Sequence, residues 1–401
     1  MTALRLFTAS LRQHPWGSAF IVLLIAATTA LSMAVSLQER ALREGSARAA
    51  DQFDLVIGAP GSEIQLVLSS VFLQASDLSL LTPTQIDNIA KNPLASWSSP
   101  IVFGDYYQER PIVGVNHDLL SLDGKRRAES GRFFTHHNEA VVGARSGLKI
   151  GDTITPIHGN LGDADHLTHE VSSYTVVGVL PVDGSVWDQA ILVPIESVWL
   201  MHAMDDNPHS HLRWQEPIGG IEPQGAPAVI VKPQSVAGAY QLRSQYRGNG
   251  TQAVFPGEVL VRLYSTLGDA KKLLSGIAII TQLLVALAVS VIIAIYLQQQ
   301  QRQIAALRAF GAPRNRIFLL IWGALLMLIS IAIILGAIGG YALAAFASNA
   351  ISAQNGFILP VQFNTEDMRF LAILFIIGAI ALLIPSLYHY RRAPAEILRD
   401  T

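Results

Sequence analysis

Four long apolar stretches dominate the pattern of hydrophobic and polar positions along the chain. They cover residues 18–37, 277–297, 319–347 and 370–388, and none of them contains a charged side chain. About 20 helical residues cross the ~30 Å hydrocarbon core of a bilayer. The pattern therefore predicts an α-helical membrane protein with four transmembrane helices, one near the N-terminus and three toward the C-terminus. Buried helices of a soluble core are the alternative, but uncharged runs of this length rarely occur together in a soluble fold.

The first apolar stretch could also be a secretory signal peptide, with SARAA at residues 46–50 as its cleavage site. Its apolar core exceeds the ~7–15 residues of a signal peptide, and several charged residues lie between it and that site. An uncleaved first transmembrane helix is therefore the better interpretation.

The region between the first and second apolar stretches, residues 38–270, predicts a large α/β domain. Residues 53–61 alternate and end in a Gly/Pro turn, as strands do. A helix follows over 62–72 with Ser62 as its N-cap, and another over 81–93 that opens with Thr-Pro and stops at Asn-Pro. The helix-forming stretches 36–52 and 264–275 predict stalks that join this domain to the membrane helices.

From residue 139 onward the sequence consists of short β-rich runs separated by Gly, Pro and Asp. We predict a small β-rich subdomain over residues 139–200, inserted in an α/β part that covers 51–138 and 227–265. A polar loop, residues 201–226, follows it. Residues 227–265 then read as strand, helix and strand.

The distribution of charge predicts the orientation in the membrane. The segment 298–318 carries Arg302, Arg308, Arg314 and Arg316 and no acid, the N-terminus 1–17 carries Arg5 and Arg12, and basic residues outnumber acidic ones in 389–401. The loop 348–369 is acidic instead. Because Lys and Arg accumulate on the cytoplasmic side, both termini and 298–318 should be cytoplasmic. Residues 38–270 and 348–369 should then be periplasmic.

The predicted periplasmic region is acidic although the chain is nearly neutral. Of the 401 residues, those between 51 and 270 include 24 acids and 13 Lys or Arg, a formal charge of −11 against −2 for the whole chain. This charge disfavours nucleic acid and anionic headgroups as its partners. The chain has no cysteine, which excludes disulfides and thiolate metal sites.

The basic segment 298–318 combines arginines with an apolar face. A helix is predicted to end near Phe310, with Gly311 as its C-terminal cap and Pro313 in the first turn of the next helix. Ile304, Leu307 and Phe310 share one face of it. One interpretation is a turn whose arginines hold the topology, and the other is a docking element for a cytoplasmic partner. The candidate coupling residues are Ile304, Leu307, Arg308, Phe310, Gly311, Arg314 and Arg316.

Four quoted stretches carry a resemblance to a known family. QRQIAALRAFGAPRNRIFLLI resembles the cytoplasmic coupling segment of the FtsX/MacB/LolC class of ABC transporter permeases, and PSLYHYRRAPAEILRD resembles the end of such permeases. EAVVGARSGLKIGDTI and YTVVGVLPVDGSVWDQAILVPIESVW are similar to the β subdomain of their periplasmic region. The four matches occur in the same order as in the family and span most of the chain. The predicted arrangement of one transmembrane helix before the large domain and three after it also agrees with the family.

The resemblance implies a homodimeric permease of the bacterial inner membrane, bound to a dimer of a separate cytoplasmic ABC ATPase that carries ATP and Mg. The chain lacks the GxxxxGK[ST] phosphate loop, so no catalytic residue or cofactor is expected in it. It would convert ATP binding and hydrolysis into periplasmic motion, to export or extract a lipoprotein, peptide or amphipathic substrate. Alternatively, it would drive a periplasmic enzyme, adaptor or metal-binding protein.

Two further sets of residues are candidates. Ala26 and Ala30 in the first stretch, and Gly336 and Gly340 in the third, have the small-xxx-small spacing of close helix contacts, within a chain or in a dimer. Imidazoles and carboxylates also cluster in two polar segments and suit zinc, although solvated loops have the same composition. These residues are His166, His169, His202, Asp205, Asp206, His209 and His211. A membrane-anchored metal-dependent hydrolase is the contrasting hypothesis.

Overall fold

The computed structural model describes residues 15–74, 76–158, 167–168, 173–206, 213–299 and 313–391. The chain forms two compact units. The helical unit comprises Met1–Leu42, Leu267–Ala350 and Pro360–Thr401, and the α/β unit comprises Arg43–Thr266 and Ile351–Leu359.

The described residues contain four long α-helices and five short ones. The long helices are α1 Pro15–Ala50, α7 Pro256–Gln299, α8 Arg314–Asn355 and α9 Thr365–Arg391. The short helices are α2 Glu63–Ser70, α3 Pro83–Ala90, α4 His117–Ser121, α5 Ile195–Asp206 and α6 Val236–Gln245.

Each of the four apolar stretches lies inside one long helix, and the helices continue past the apolar residues. Two segments, Trp16–Ala50 and Trp322–Ala353, are long and apolar enough to cross a membrane, while the apolar part of α7, Ile279–Ile292, is shorter. The described residues thus contain two candidate membrane helices. In the helical unit all four long helices contribute to one apolar cluster, which includes Ile21, Val289, Ile329 and Leu382.

The strands of the α/β unit are β1 Leu55–Gly58, β2 Ala95–Tyr107, β3 Arg110–Val115, β4 Ser130–Gly131, β5 Glu139–Val142, β6 Thr153–Ile154, β7 Ile157–His158, β8 Leu167–Thr168, β9 Tyr174–Val179, β10 Ile191–Pro194, β11 Ala228–Pro233 and β12 Gln252–Val254. They form one connected, mixed sheet with the order β12-β1-β11-β2-β3-β10-β5-β9-β4. Off this path, β6 pairs with β9, and β7 pairs with β2 and β8.

The long strand β2 connects the β-rich run after residue 139 to the rest of the sheet. The long strand β2 pairs with β11 through its first half and with β3 through its second half, and β3 pairs in turn with β10. One hydrophobic core also extends under both halves of the sheet, from Ile57 to Tyr174. The division into a β-rich subdomain over 139–200 and an α/β part over 51–138 and 227–265 stays a prediction.

Residues Ile195–Asp206 form helix α5, although the sequence predicted β structure up to residue 200 and a polar loop from residue 201. Val198 and Trp199 are buried, and α5 packs on β2 and β3. Gly114 in β3 permits this contact, because a Cβ there would lie 2.8 Å from the Val198 side chain. Burial on the sheet decides between helix and strand for this short apolar run.

The local signals predicted two short helices correctly. Ser62 caps α2 by accepting a hydrogen bond from the backbone N–H of Gln65 at 3.3 Å. Thr82 forms a capping box with Gln85 at the start of α3, and Pro83 occupies the first turn. Such caps depend on residues three positions apart, so the sequence is sufficient to identify them.

Candidate functional site

The small residues predicted for helix packing face each other within one chain. A Cβ on Gly336 would lie 2.7 Å from the carbonyl oxygen of Ala26, and a Cβ on Gly340 would lie 2.7 Å from that of Ala30. These four residues belong to α1 and α8 of the helical unit. The two backbones therefore approach so closely that only glycine fits at either position of α8.

A buried ion pair connects α1 to the start of α9 in the helical unit. Arg40 donates from Nη2 to Oδ1 of Asp367 at 2.6 Å and from Nη1 to Oδ2 at 3.0 Å. The two side chains are only 7% and 5% exposed. Asp367 Oδ2 also accepts the backbone N–H of Asn364 at 2.7 Å, which caps the first turn of α9. Sequence reasoning used Asp367 only in the charge count and missed this pair.

A cavity of about 50 Å³ lies among the four long helices. Its lining is mostly apolar but includes the polar side chains of Thr28, Thr29, Gln282 and Ser290. Ser290 Oγ donates to the carbonyl oxygen of Ala381 at 3.2 Å, and Gln282 Nε2 donates to Ser32 Oγ at 3.3 Å. These bonds join α7 to α9 and to α1. Lipid offers polar groups no partners, so such bonds between helices favour one packing arrangement.

The C-terminal end of α8 belongs to the α/β unit. Gly356 follows α8 with a φ of 79°, and its N–H donates to the carbonyl oxygen of Ser352 at 3.0 Å. Ile358 donates its backbone N–H to the carbonyl oxygen of Gly184 at 3.1 Å. The ring of Phe357 packs edge-on against Phe72, with the centroids 5.9 Å apart. The third apolar helix thus ends in a segment that is hydrogen-bonded into the α/β unit.

Most of the predicted coupling and metal residues fall outside the described residues. Those residues are Ile304, Leu307, Arg308, Phe310, Gly311, His166, His169, His209 and His211. Arg314 and Arg316 lie in the first turn of α8, where the N–H of Arg316 donates to the carbonyl oxygen of Pro313 at 3.0 Å.

His202, Asp205 and Asp206 lie in helix α5 and not in a loop, which corrects their predicted setting. Within the described ranges, no three His, Asp or Glu side chains lie close enough together to hold a metal ion. Zinc binding therefore stays a prediction for the two His-rich segments.

A histidine that the sequence did not single out is fully buried in the α/β unit. Neither ring nitrogen of His137 has a hydrogen-bond partner among the described residues, and Nε2 lies 4.0 Å from Oε2 of Glu196. Burial, and then the charge of Arg213, lower the pKa of His137. Burial raises the pKa of Glu196. The imidazole is therefore neutral at pH 7.

We expect the α/β unit to lose stability as the pH falls below about 6.5. At that pH the imidazole of residue 137 becomes protonated in the unfolded chain, whereas buried His137 stays neutral in the folded protein because its pKa is lower there. His137→Gln should reduce this loss, by at most about 1.4 kcal/mol at pH 5.5, which is about one unit below the pKa of an imidazole in the unfolded chain. Thermal unfolding of the full chain between pH 7.5 and 5.5 measures the difference. Exposed His117→Gln is the control, and matching pH profiles for wild type and His137→Gln would contradict the expectation.

Comparisons with known proteins place this architecture in a family. A model described as the MacB-like periplasmic core domain matches residues 18–247, more than half of the chain, and one described as the FtsX-like permease C-terminal matches residues 275–395. The chain is an ABC transporter permease of the FtsX/MacB class. Permeases of this class work with a cytoplasmic ABC ATPase, and this permease is a membrane protein.

Two solved structures are similar to part of the permease. The periplasmic region of MacB from Actinobacillus actinomycetemcomitans is 10% identical, with a TM-score of 0.34, and the match covers 54% of this chain and 95% of that one. The extracellular domain of the noncanonic ABC-type transporter YknZ from Gram-positive bacteria is 12% identical, with a TM-score of 0.29, and the match covers 50% and 98%. No curated protein matches at a significant level.

Proposed function

We propose that this permease converts ATP binding and hydrolysis by a separate ATPase into movement of its α/β unit in the periplasm. It crosses the inner membrane four times in a one-plus-three arrangement, with both termini and residues 298–318 in the cytoplasm. It acts as a homodimer with an ATPase dimer, and it exports or extracts a lipoprotein, peptide or amphipathic substrate.

The continuity of the long helices is the observation that supports this proposal. Helix α1 has 36 residues and α7 has 44, and each contributes residues to both units. At ~1.5 Å per residue, such helices are about 54 and 66 Å long and exceed the ~30 Å hydrocarbon core. An unbroken helix carries a displacement at one end to the other, whereas a flexible linker absorbs it. The end of α8 provides a third connection of this kind.

The charge pattern supports the orientation. The arginines between 298 and 318 favour the cytoplasm, where the ATPase of such permeases resides, and the acidic 51–270 region lies on the other side. The proposed docking face consists of Ile304, Leu307 and Phe310, with arginines nearby.

Leu307→Asp and Phe310→Asp should each reduce ATPase association more than about tenfold, because a carboxylate would be buried unpaired in the apolar contact. Ala305→Asp places the same charge on the opposite face of the predicted helix and should retain the ATPase. The measurement is the ATP hydrolysis that co-purifies with the permease from native membranes, relative to the amount of permease inserted. Normal co-purification with both variants would refute the docking role.

A further inference from the structure

A cavity of about 280 Å³ opens in the α/β unit beside the segment that follows α2. Leu78, Val102, Phe103 and Trp199 supply its apolar and aromatic lining. Val102 and Phe103 belong to β2, and Trp199 belongs to α5. The volume is close to the lower end of the ~300–1,000 Å³ typical of small-molecule sites.

Hydrogen bonds hold the walls of this cavity in place. Leu81 and Ala226 form a backbone bridge, with N···O distances of 2.8 and 3.3 Å. Trp199 Nε1 donates to the carbonyl oxygen of Gly225 at 3.3 Å, and Gln224 Nε2 donates to the carbonyl oxygen of Trp199 at 3.3 Å. The two chain segments and helix α5 are therefore fixed relative to one another, so the cavity is part of the folded structure.

The wall of the cavity carries one carboxylate. The side chain of Asp77 is exposed, and no Lys or Arg within the described ranges forms an ion pair with it. A carboxylate beside an apolar and aromatic surface attracts a cation that also carries an apolar group.

We propose that this cavity binds a small organic cation, an ammonium group carried on an apolar body. The ammonium group pairs with the carboxylate of Asp77, while the apolar body contacts Phe103 and Trp199. The formal charge of −11 between residues 51 and 270 also attracts cations and repels anions. Binding of the cation requires neither the ATPase nor transport, so it does not depend on the proposed function.

The test uses the full-length permease in nanodiscs and phenethylammonium as the probe. Saturation-transfer NMR measures its affinity, with empty nanodiscs as the reference for partition into lipid. Asp77→Asn keeps the shape of the side chain and should weaken binding roughly fivefold or more, as expected for the loss of one charge contact. The neutral analogue 2-phenylethanol should bind wild type and Asp77→Asn alike.

Two further variants make the result specific to the cavity. Exposed Glu222→Gln removes one negative charge outside the wall and should change the affinity less than about twofold. Leu78→Trp fills the cavity and should abolish binding while the unfolding temperature is retained. A signal equal to that of empty nanodiscs, equal affinities for wild type and Asp77→Asn, or binding to Leu78→Trp would each overturn the proposal.

Discussion

A permease that carries Asp367→Ala is expected to lose about 3–5 kcal/mol of unfolding free energy, because the variant leaves the Arg40 guanidinium buried without its carboxylate. The two groups form two hydrogen bonds, at 2.6 and 3.0 Å, and only 7% and 5% of their side chains are exposed. The expected loss is large compared with that for an exposed ion pair, which is worth about 0–1 kcal/mol. Thermal unfolding of the full chain in detergent, followed by tryptophan fluorescence, measures the effect.

Two controls separate the buried charge from other effects of the substitution. The double variant Arg40→Met with Asp367→Leu removes both charges and should recover most of the stability, apart from about 1 kcal/mol for the lost cap at Asn364. Exposed Glu366→Ala alters the neighbouring residue and should change the stability by less than about 0.5 kcal/mol. Equal losses in the single and double variants would show that packing, and not an uncompensated charge, controls the stability here.

The sequence predicted the long helices well because their signal is local. Each uncharged apolar stretch lies within one helix, and the caps at Ser62 and Thr82 were correct for the same reason. Helix α1 continues to Ala50, through the stretch 36–52 that was predicted as a helical stalk, whereas α8 continues to Asn355, into the predicted loop 348–369. Hydropathy identifies the part of a helix that suits a membrane but does not show where the helix stops.

Residues distant in sequence decide the features that the sequence alone did not show. Nothing local indicates that β2 pairs with β11 and also with β3. Helix α5 was interpreted as strand, because its short apolar run has no clear period and its burial depends on Gly114 in another strand. Both features depend on long-range contacts.

In the candidate site, too, local patterns were predicted from the sequence and long-range contacts were not. The small-residue motifs were recognised from their spacing, but spacing does not say which helix a motif contacts. Arg40 and Asp367 are 327 residues apart, so their pairing could not be predicted from either neighbourhood. His137 was one of nine histidines in the predicted periplasmic region, and the sequence alone does not show its burial. The residues between 300 and 312 stay predictions.

Alanine at Gly336 and Gly340 together is expected to lower the unfolding free energy of the permease by about 2–6 kcal/mol, since overpacking costs about 1–3 kcal/mol per site. The new methyl groups would lie 2.7 Å from the carbonyl oxygens of Ala26 and Ala30, well inside van der Waals contact. Backbone atoms cannot rotate away as a side chain does, so α1 and α8 must separate and lose contacts along their length. Thermal unfolding in nanodiscs measures the loss.

Gly339→Ala is the matched control, because its Cβ would lie 3.6 Å from the Cβ of Ala30, which is an ordinary contact. This variant should be as stable as wild type or slightly more so, since alanine exceeds glycine in helix propensity by about 0.5–1 kcal/mol. Gly323→Ala, whose Cβ would have no atom within 4 Å beyond its chain neighbours and the backbone of its own helix, should behave in the same way. If alanine at Gly336, Gly339 and Gly340 changed the unfolding free energy equally, the substitutions would act only through helix propensity. A loss confined to Gly336 and Gly340 would instead identify the close α1–α8 contact as its cause.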